Sequence, residues 1–255
     1  MKQDELKDFL ESKVIQYNQP SFIETDPVQV PHAFTKKEDI EIASFLTATI
    51  AWGQRQTIIN NAWHWMILMD RAPADFIANS TEKDLTRLSG FKHRTFIQDD
   101  GIYFIKAIKY IYTKYPDMES LFCEGYNRSS SLTDAIIHFR KIFFTLPGLV
   151  RTQKHVSDIT KGASAKRINL FLRWMIRKDK QGVDFGIWDS IPASALYLPL
   201  DIHTGNTARK LQLLVRKSND WKAVEEVTAM LRKFDMNDPV KYDYALFGLG
   251  AFEGF

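Results

Sequence analysis

The sequence predicts an all-α protein. Apolar residues recur at the three-to-four-residue spacing of amphipathic helices along most of the chain. No run alternates apolar and polar residues for long enough to make a convincing strand. The helical segments, about ten on this reading, are separated by short breaks rich in Gly, Pro and Asn. Neither an internal repeat nor a low-complexity tract interrupts them.

Residues 1–15 place Leu6, Phe9, Leu10 and Val14 on one side of a short helix, and the Pro-rich NQPSFIETDPVQVPHAF that follows is a connector. Thr35-Lys36-Lys37-Glu38 has the form of a capping box, opening the strongly apolar helix IEIASFLTATIAW. Gly53 breaks it, and GQRQTIINNAWHWMILM continues with Ile58, Ala62, Trp65 and Met69 at helical spacing. Thr81 to Leu88 reads as a short helix stopped by Gly90, and FKHRTF is a basic loop. Asp99 or Asp100 caps GIYFIKAIKYIYTKY, which Pro116 ends. Two more helices lie around MESLFCEGY and SLTDAIIHFRKIFF, before a firm break at Leu146-Pro147-Gly148. A helix runs from about Ala165 to residue 178, and the stretch to Leu200 is mixed, with Pro192 and Pro199. Helices resume near Thr204–Leu213 and Asp220–Phe234. Asn237-Asp238-Pro239 supplies an N-cap with Pro in the first turn of a last helix through Ala251.

A chain of 255 residues suits one large domain or two small lobes, and 45% apolar with 25% charged residues is ordinary for a soluble globular protein. Cys123 is the only cysteine, which excludes an intramolecular disulfide and a four-cysteine metal cluster and fits a reducing cytoplasm. The opening MKQDELKDFLESK is charged throughout, unlike a signal peptide, and charges interrupt the apolar runs well before a bilayer-spanning length. The net charge of +3 is unevenly spread. Arg151 to Lys180 holds nine Lys/Arg against Asp158 and Asp179, and Ile202 to Asn219 holds four basic residues and no acid. Phosphate backbones attract such surfaces, although a solvated helix face reads the same way.

Inside these basic stretches lie two chemically suggestive segments. KGASAKRINLFLRWMIRK sets a turn-prone Gly-Ala-Ser before a helix with Lys166 at its mouth, and YLPLDIHTGNTARK sets Asp201 just before another helix. Together with SFLTATIAWGQRQTIINNA and YDYALFGLGAF, these segments resemble the helix-hairpin-helix base-excision DNA glycosylases, the superfamily of endonuclease III and the 8-oxoguanine DNA glycosylases. The four matches keep the family's order over roughly residues 36–252. Gly162-x-Ser164-x-Lys166 is similar to the hairpin glycines followed by the catalytic lysine, and Leu198-Pro199-Leu200-Asp201-Ile202-His203 to the stretch holding the catalytic aspartate. A serine replaces the second hairpin glycine. The 35-residue step from Lys166 to Asp201 is longer than in endonuclease III and resembles the archaeal 8-oxoguanine glycosylase branch. The iron–sulfur loop of endonuclease III is absent, and the sequence type also resembles bacterial proteins of this fold whose substrate is unassigned.

The resemblance implies two helical lobes with a helix-hairpin-helix element and a cleft between them: a central lobe over about 40–195, and a second built from 1–39 plus 196–255. It implies a DNA repair glycosylase/AP lyase excising a damaged base such as 8-oxoguanine, with Lys166 as nucleophile and Asp201 as carboxylate. Gln54, Arg55, Trp52, Gly162, Ser164, Arg167, His203 and Phe252 are the residues expected to meet DNA or the base. Duplex DNA is the expected partner of a cytoplasmic monomer with no membrane contact, and the chemistry needs no metal or organic cofactor.

That chemistry stands on its own terms. Breaking an N-glycosidic bond builds positive charge on the sugar, which a nearby carboxylate stabilises. An amine attacking the sugar carbon leaves a Schiff base and must be neutral to attack, a form favoured at a helix N-terminus and beside Arg167. Hairpin N–H groups hold phosphate, and the base must leave the stack for a pocket, for which Trp52, Phe247 and Phe252 are candidates. Each residue also has a plainer reading. Lys166 can be a solvated helix-face lysine with Lys161 as its competitor, Asp201 a helix cap, and Gln54 a turn residue; His203, Arg55, His93 and Arg94 can be ordinary surface residues. Trp63 and Trp65 read as core and Cys123 as inert packing. Two rival functions follow: a non-catalytic DNA binder of the same fold, and a helical protein-interaction scaffold.

Overall fold

The computed structural model describes residues 2–255 and is predominantly helical. Thirteen α-helices lie among the described residues: α1 Gln3–Tyr17, α2 Pro20–Thr25, α3 Lys37–Thr49, α4 Arg55–Leu68, α5 Pro73–Asn79, α6 Glu82–Leu85, α7 Gln98–Lys114, α8 Met118–Tyr126, α9 Leu132–Phe143, α10 Lys166–Ile176, α11 Ile202–Lys210, α12 Trp221–Phe234 and α13 Tyr242–Phe252. The basic loop FKHRTF is a two-residue antiparallel hairpin, β1 Lys92–His93 with β2 Phe96–Ile97, turned through Arg94 at φ 54°. None of these helices is long and apolar enough to cross a membrane.

Thr25–Ser157 form one compact unit; the chain up to Glu24 and Asp158–Phe255 form the other. This division differs from the sequence-based one, which grouped 158–195 with the central lobe. The turn before α10 and α10 itself are held by groups from the C-terminal third, as described below, and long-range pairing of that kind leaves no local signature.

In the 25–157 unit, α3 is buried at every position from Ile40 to Thr49, as expected for a helix apolar all round. Phe45 packs on Phe104, Phe139 and Phe143 with ring centroids 5.4–5.8 Å apart. Glu41, fully buried in the same helix, accepts from the Tyr112 hydroxyl at 2.7 Å and the Met118 N–H at 3.1 Å. The capping box expected at Thr35–Glu38 does not form. The N-cap is Lys36, without a side-chain bond, and Lys37 reaches Asp117 at 2.8 Å and Glu119 at 2.7 Å. Asp100 does serve α7, from inside the first turn. It accepts from the Ile97 N–H at 3.0 Å, and its buried carboxylate also holds Arg151 at 2.6 Å and Thr152 at 2.7 Å.

In the other unit, α13 lies between α1 and α11. Gly248 abuts the Tyr17 ring so closely that a Cβ would overlap it, and a Cβ at Gly250 would sit 2.7 Å from Thr207 Oγ1 and 3.1 Å from the His203 carbonyl. Beneath α10 runs a buried ionic network. Arg173 Nε donates to Asp184 at 3.1 Å, its Nη1 to Asp243, and its guanidinium lies 4.4 Å from the Tyr244 ring centroid. Arg177 Nη1 donates to Asp184 at 3.0 Å and Asp179 at 2.5 Å, and its Nε to both oxygens of Asp238 at 3.0 Å. Asp238 is therefore spent on Arg177 and does not cap with its side chain: a 3-10 turn, Pro239–Lys241, precedes α13. Two of the nine cations in the Arg151–Lys180 stretch thus face the core and are neutralised there.

Removing Asp184 leaves Arg173 with Asp243 and Arg177 with Asp179 and Asp238, but strips one buried acceptor from each guanidinium. Asp184→Ala is expected to lose about 3–5 kcal/mol of stability, the scale of two buried hydrogen bonds between charged groups, read as a shift in the urea midpoint. A loss under about 1 kcal/mol, the scale of an exposed ion pair, would show that the network does not hold this unit together.

Candidate active site

The site grows from two helix starts within one unit. Asp158 opens the first by accepting from the Thr160 N–H at 3.1 Å and the Thr160 hydroxyl at 2.6 Å, which forms a 3-10 turn over Ile159–Lys161. Gly162 follows at φ 84°, a left-handed position that glycine takes without strain. Its carbonyl accepts from the Trp221 N–H at 3.0 Å, and Ala163 pairs with Asp220 as an isolated antiparallel bridge. Asn169 Nδ2 reaches back from α10 to the Ser164 carbonyl at 3.3 Å. A second left-handed residue, Ala165 at φ 50°, is the N-cap of α10 and supplies no side-chain cap. A left-handed alanine carries about 1–2 kcal/mol of steric cost, so the surrounding tertiary contacts impose this turn. Lys166 is the first residue of α10.

The second start is α11. Asp201 is its N-cap, with Oδ1 accepting from the Thr204 N–H at 2.9 Å. Capping uses one carboxylate oxygen and leaves the other. Oδ2 lies 3.5 Å from Lys166 Nζ, and the two side chains keep 28% (Lys166) and 19% (Asp201) of their surface open to solvent. Asp243 lies beneath this pair on α13, 5% exposed. Burial pushes its carboxyl up to about 6; the Arg173 charge opposes this, the negative charge of Asp201 adds to it, and Lys166 counteracts it. The charges of Asp201 and Lys166 thus both act on Asp243.

The remaining predicted residues divide between the units. Gly162, Ser164, Arg167, His203 and Phe252 belong to the unit that carries Lys166 and Asp201. Ser164 and Arg167 are half-buried, Arg167 with its guanidinium pulled down to about 10 by burial. His203 is exposed on the first turn of α11, and Lys161 is exposed on the turn before Gly162. Phe252 stacks on Tyr17 with centroids 5.6 Å apart and meets Phe247 edge-on at 6.0 Å. Trp52, Gln54 and Arg55 belong to the 25–157 unit. Gln54 is the exposed N-cap of α4, and half-buried Trp52 meets His93 edge-on at 4.8 Å and stacks with His155 at 5.9 Å. Trp65 is fully buried, while Trp63 is half-buried with its indole N–H near Gln29. Among the described residues no group of three or more His, Cys, Asp or Glu side chains is placed to hold a metal ion.

Sequence reading missed Asp243 and Arg173. Their signal was present: each is a charge inside an otherwise apolar helix, YDYALFGLGAF and NLFLRWMI. Such a charge, once buried, needs a partner.

Over residues 26–252 the chain matches the family described as Protein of unknown function (DUF2400), and it belongs to that family. No curated protein and no solved structure matches it.

Two measurements probe this geometry. Asp201→Ala removes the α11 cap and is expected to cost about 1 kcal/mol, whereas Asp201→Asn keeps an accepting oxygen and should stay within about 0.5 kcal/mol of wild type; equal losses in denaturant titrations would deny the capping role. Because the folded-state value of Asp243 is raised, its protonated form favours folding. That contribution is complete below the ordinary carboxylate range and lost as pH rises through about 6. Between pH 4 and 7 the wild type is expected to lose on the order of 1–3 kcal/mol relative to Asp243→Asn, which does not titrate. A pH-independent difference would place Asp243 in the ordinary range.

Proposed function

We propose that this protein is a DNA glycosylase with AP lyase activity, removing a damaged base such as 8-oxoguanine through a Schiff base on Lys166. The supporting observation is the 3.5 Å approach of the Lys166 amine and the Asp201 carboxylate at two adjoining helix starts, both partly open to solvent. A purely structural ion pair needs no access; a nucleophile does.

On this reading the neutral Lys166 amine attacks the sugar C1′. The glycosidic bond breaks with its electron pair going to the departing base, which takes up the proton that the attacking amine passes through Asp201. Asp201 Oδ2 stabilises the positive charge that builds on the sugar and takes a proton from the attacking amine. The 3.5 Å separation is longer than a working proton-transfer contact, as is common before substrate is bound. Ring opening yields the Schiff base, and elimination from it cuts the strand. The left-handed turn at Gly162, Ser164 and the uncapped start of α10 fit a helix-hairpin-helix phosphate grip, with Lys161, Arg167 and His203 adding charge or donors. Phe252 is assigned to the wall of the base pocket.

Borohydride trapping tests this on duplexes carrying 8-oxoguanine or an abasic site. Wild type is expected to give a covalent adduct on both. Lys166→Ala should lower its yield by at least about 10³-fold, the scale of removing a nucleophile, and Asp201→Asn should slow formation by about 10²–10³-fold. An adduct that survives in Lys166→Ala would move the nucleophile elsewhere, with Lys161 next. Salt-dependent DNA binding without any adduct would favour the non-catalytic binder.

A further inference from the structure

We infer that Asn219 is a positioning residue that holds the two halves of the Lys166–Asp201 pair in place relative to each other; this rests on the glycosylase/lyase reading above. The segment joining α11 to α12 contacts both. Trp221 donates its N–H to the Gly162 carbonyl at 3.0 Å, on the hairpin leading to Lys166. Two residues earlier, Asn219 Nδ2 donates to the Asp201 carbonyl at 3.0 Å, and Asn219 Oδ1 accepts from Arg209 Nη2 at 2.6 Å. Residues 219–221 thus form a strut between the lysine-bearing turn and the carboxylate-bearing turn.

The chemistry of this contact selects asparagine. A guanidinium only donates and a main-chain carbonyl only accepts, so the side chain between them must offer one acceptor and one donor. Asparagine does; aspartate would keep the Arg209 pair and turn an oxygen toward the Asp201 carbonyl. The fold also makes room for the amide. Gly205 lies in α11, where glycine is less favourable than alanine by about 1 kcal/mol. A Cβ there would come within 2.8 Å of Asn219 Oδ1 and 3.0 Å of both Asn219 Nδ2 and Arg209 Nη1. The strut is itself braced. Arg209 Nε donates to the Arg216 carbonyl at 2.8 Å, Arg216 grips Asp220 through two 2.6 Å bonds, and Ser218 donates to Asp220 at 2.8 Å. Asp220 also caps α12 through the Ala223 N–H at 3.0 Å. Reacting groups misplaced by about 1 Å can lose on the order of a hundredfold in rate, so a braced contact to the Asp201 backbone bears directly on the reaction.

The test compares wild type, Asn219→Ala and Asn219→Asp in the full chain by two readouts. The first, independent of catalysis, is hydrogen exchange at the Thr204 and Gly205 amides, the first bonds of α11. Both variants are expected to exchange there about tenfold faster, the scale of one lost hydrogen bond. The second is the rate of borohydride-trapped adduct on an abasic duplex. It should fall on the order of tenfold to a hundredfold at saturating duplex, with the half-saturating duplex concentration unchanged. Asn219→Asp, which keeps Arg209 paired and the loop folded, should fall at least as far as Asn219→Ala. Unchanged exchange would overturn the strut whatever the activity. Faster exchange with an unchanged trapping rate, or wild-type behaviour of Asn219→Asp, would overturn the positioning role while leaving Lys166 as nucleophile. A wild type that forms no adduct would overturn the lyase reading itself and reduce Asn219 to a structural tie.

Discussion

Two guanidinium groups buried beneath α10 constrain the unit that carries the candidate site. Arg173 and Arg177 are each no more than 4% exposed in their side chains. Charges this far from water persist only with counter-charges and saturated hydrogen bonding. Carboxylates from three later segments meet the need: Asp179 and Asp184 from the turn after α10, Asp238 from the turn before α13, and Asp243 from within it. Satisfying the arginines therefore draws α13 against α10, and α13 in turn lies against α1 and α11 at Gly248 and Gly250. Lys166, at the start of α10, meets Asp201, at the start of α11, as a consequence of this assembly.

The Lys166–Asp201 pair also draws on ordinary helix chemistry. A carboxylate at an N-cap has two oxygens, and the cap engages one. Asp201 can thus be held in orientation by the Thr204 N–H while its second oxygen faces Lys166. The other helix start has no side-chain cap and is shaped by a left-handed alanine, a conformation that needs support from its surroundings. That support comes from Asn169 on the Ser164 carbonyl and from the backbone of residues 220–221. Asp243, buried beside the partly open pair and raised to about 6, couples the ionic network to the site's electrostatics.

Local features were legible in the sequence where the signal is local. The breaks at Gly53, Gly90, Pro116 and Leu146–Gly148, the cap at Asp201, and the helical spacing of Ile58, Ala62, Trp65 and Met69 all follow from residues a few positions apart. Local readings failed where a distant partner claimed the side chain. Lys37 turned to Asp117 and Glu119 with no Thr35–Glu38 box formed, and Asp238 turned to Arg177 instead of capping. The basic excess of residues 151–180 was overcounted as surface charge, because composition does not distinguish an arginine facing solvent from one facing buried aspartates.

The sequence by itself determined that the chain is helical, where most helices begin and end, and which lysine and aspartate stand at helix mouths. Those properties depend on periodicity, capping and the limited conformations of Gly and Pro, all short-range. Tertiary structure alone decided that Lys166 and Asp201, 35 positions apart, come within 3.5 Å. It also decided that Asp243 lies beneath them, that residues 158–195 join the terminal unit, and that Asn219 bridges to the Asp201 turn. These outcomes depend on which buried charges find partners and where glycine lets helices approach, and both are set by contacts between segments far apart in the chain.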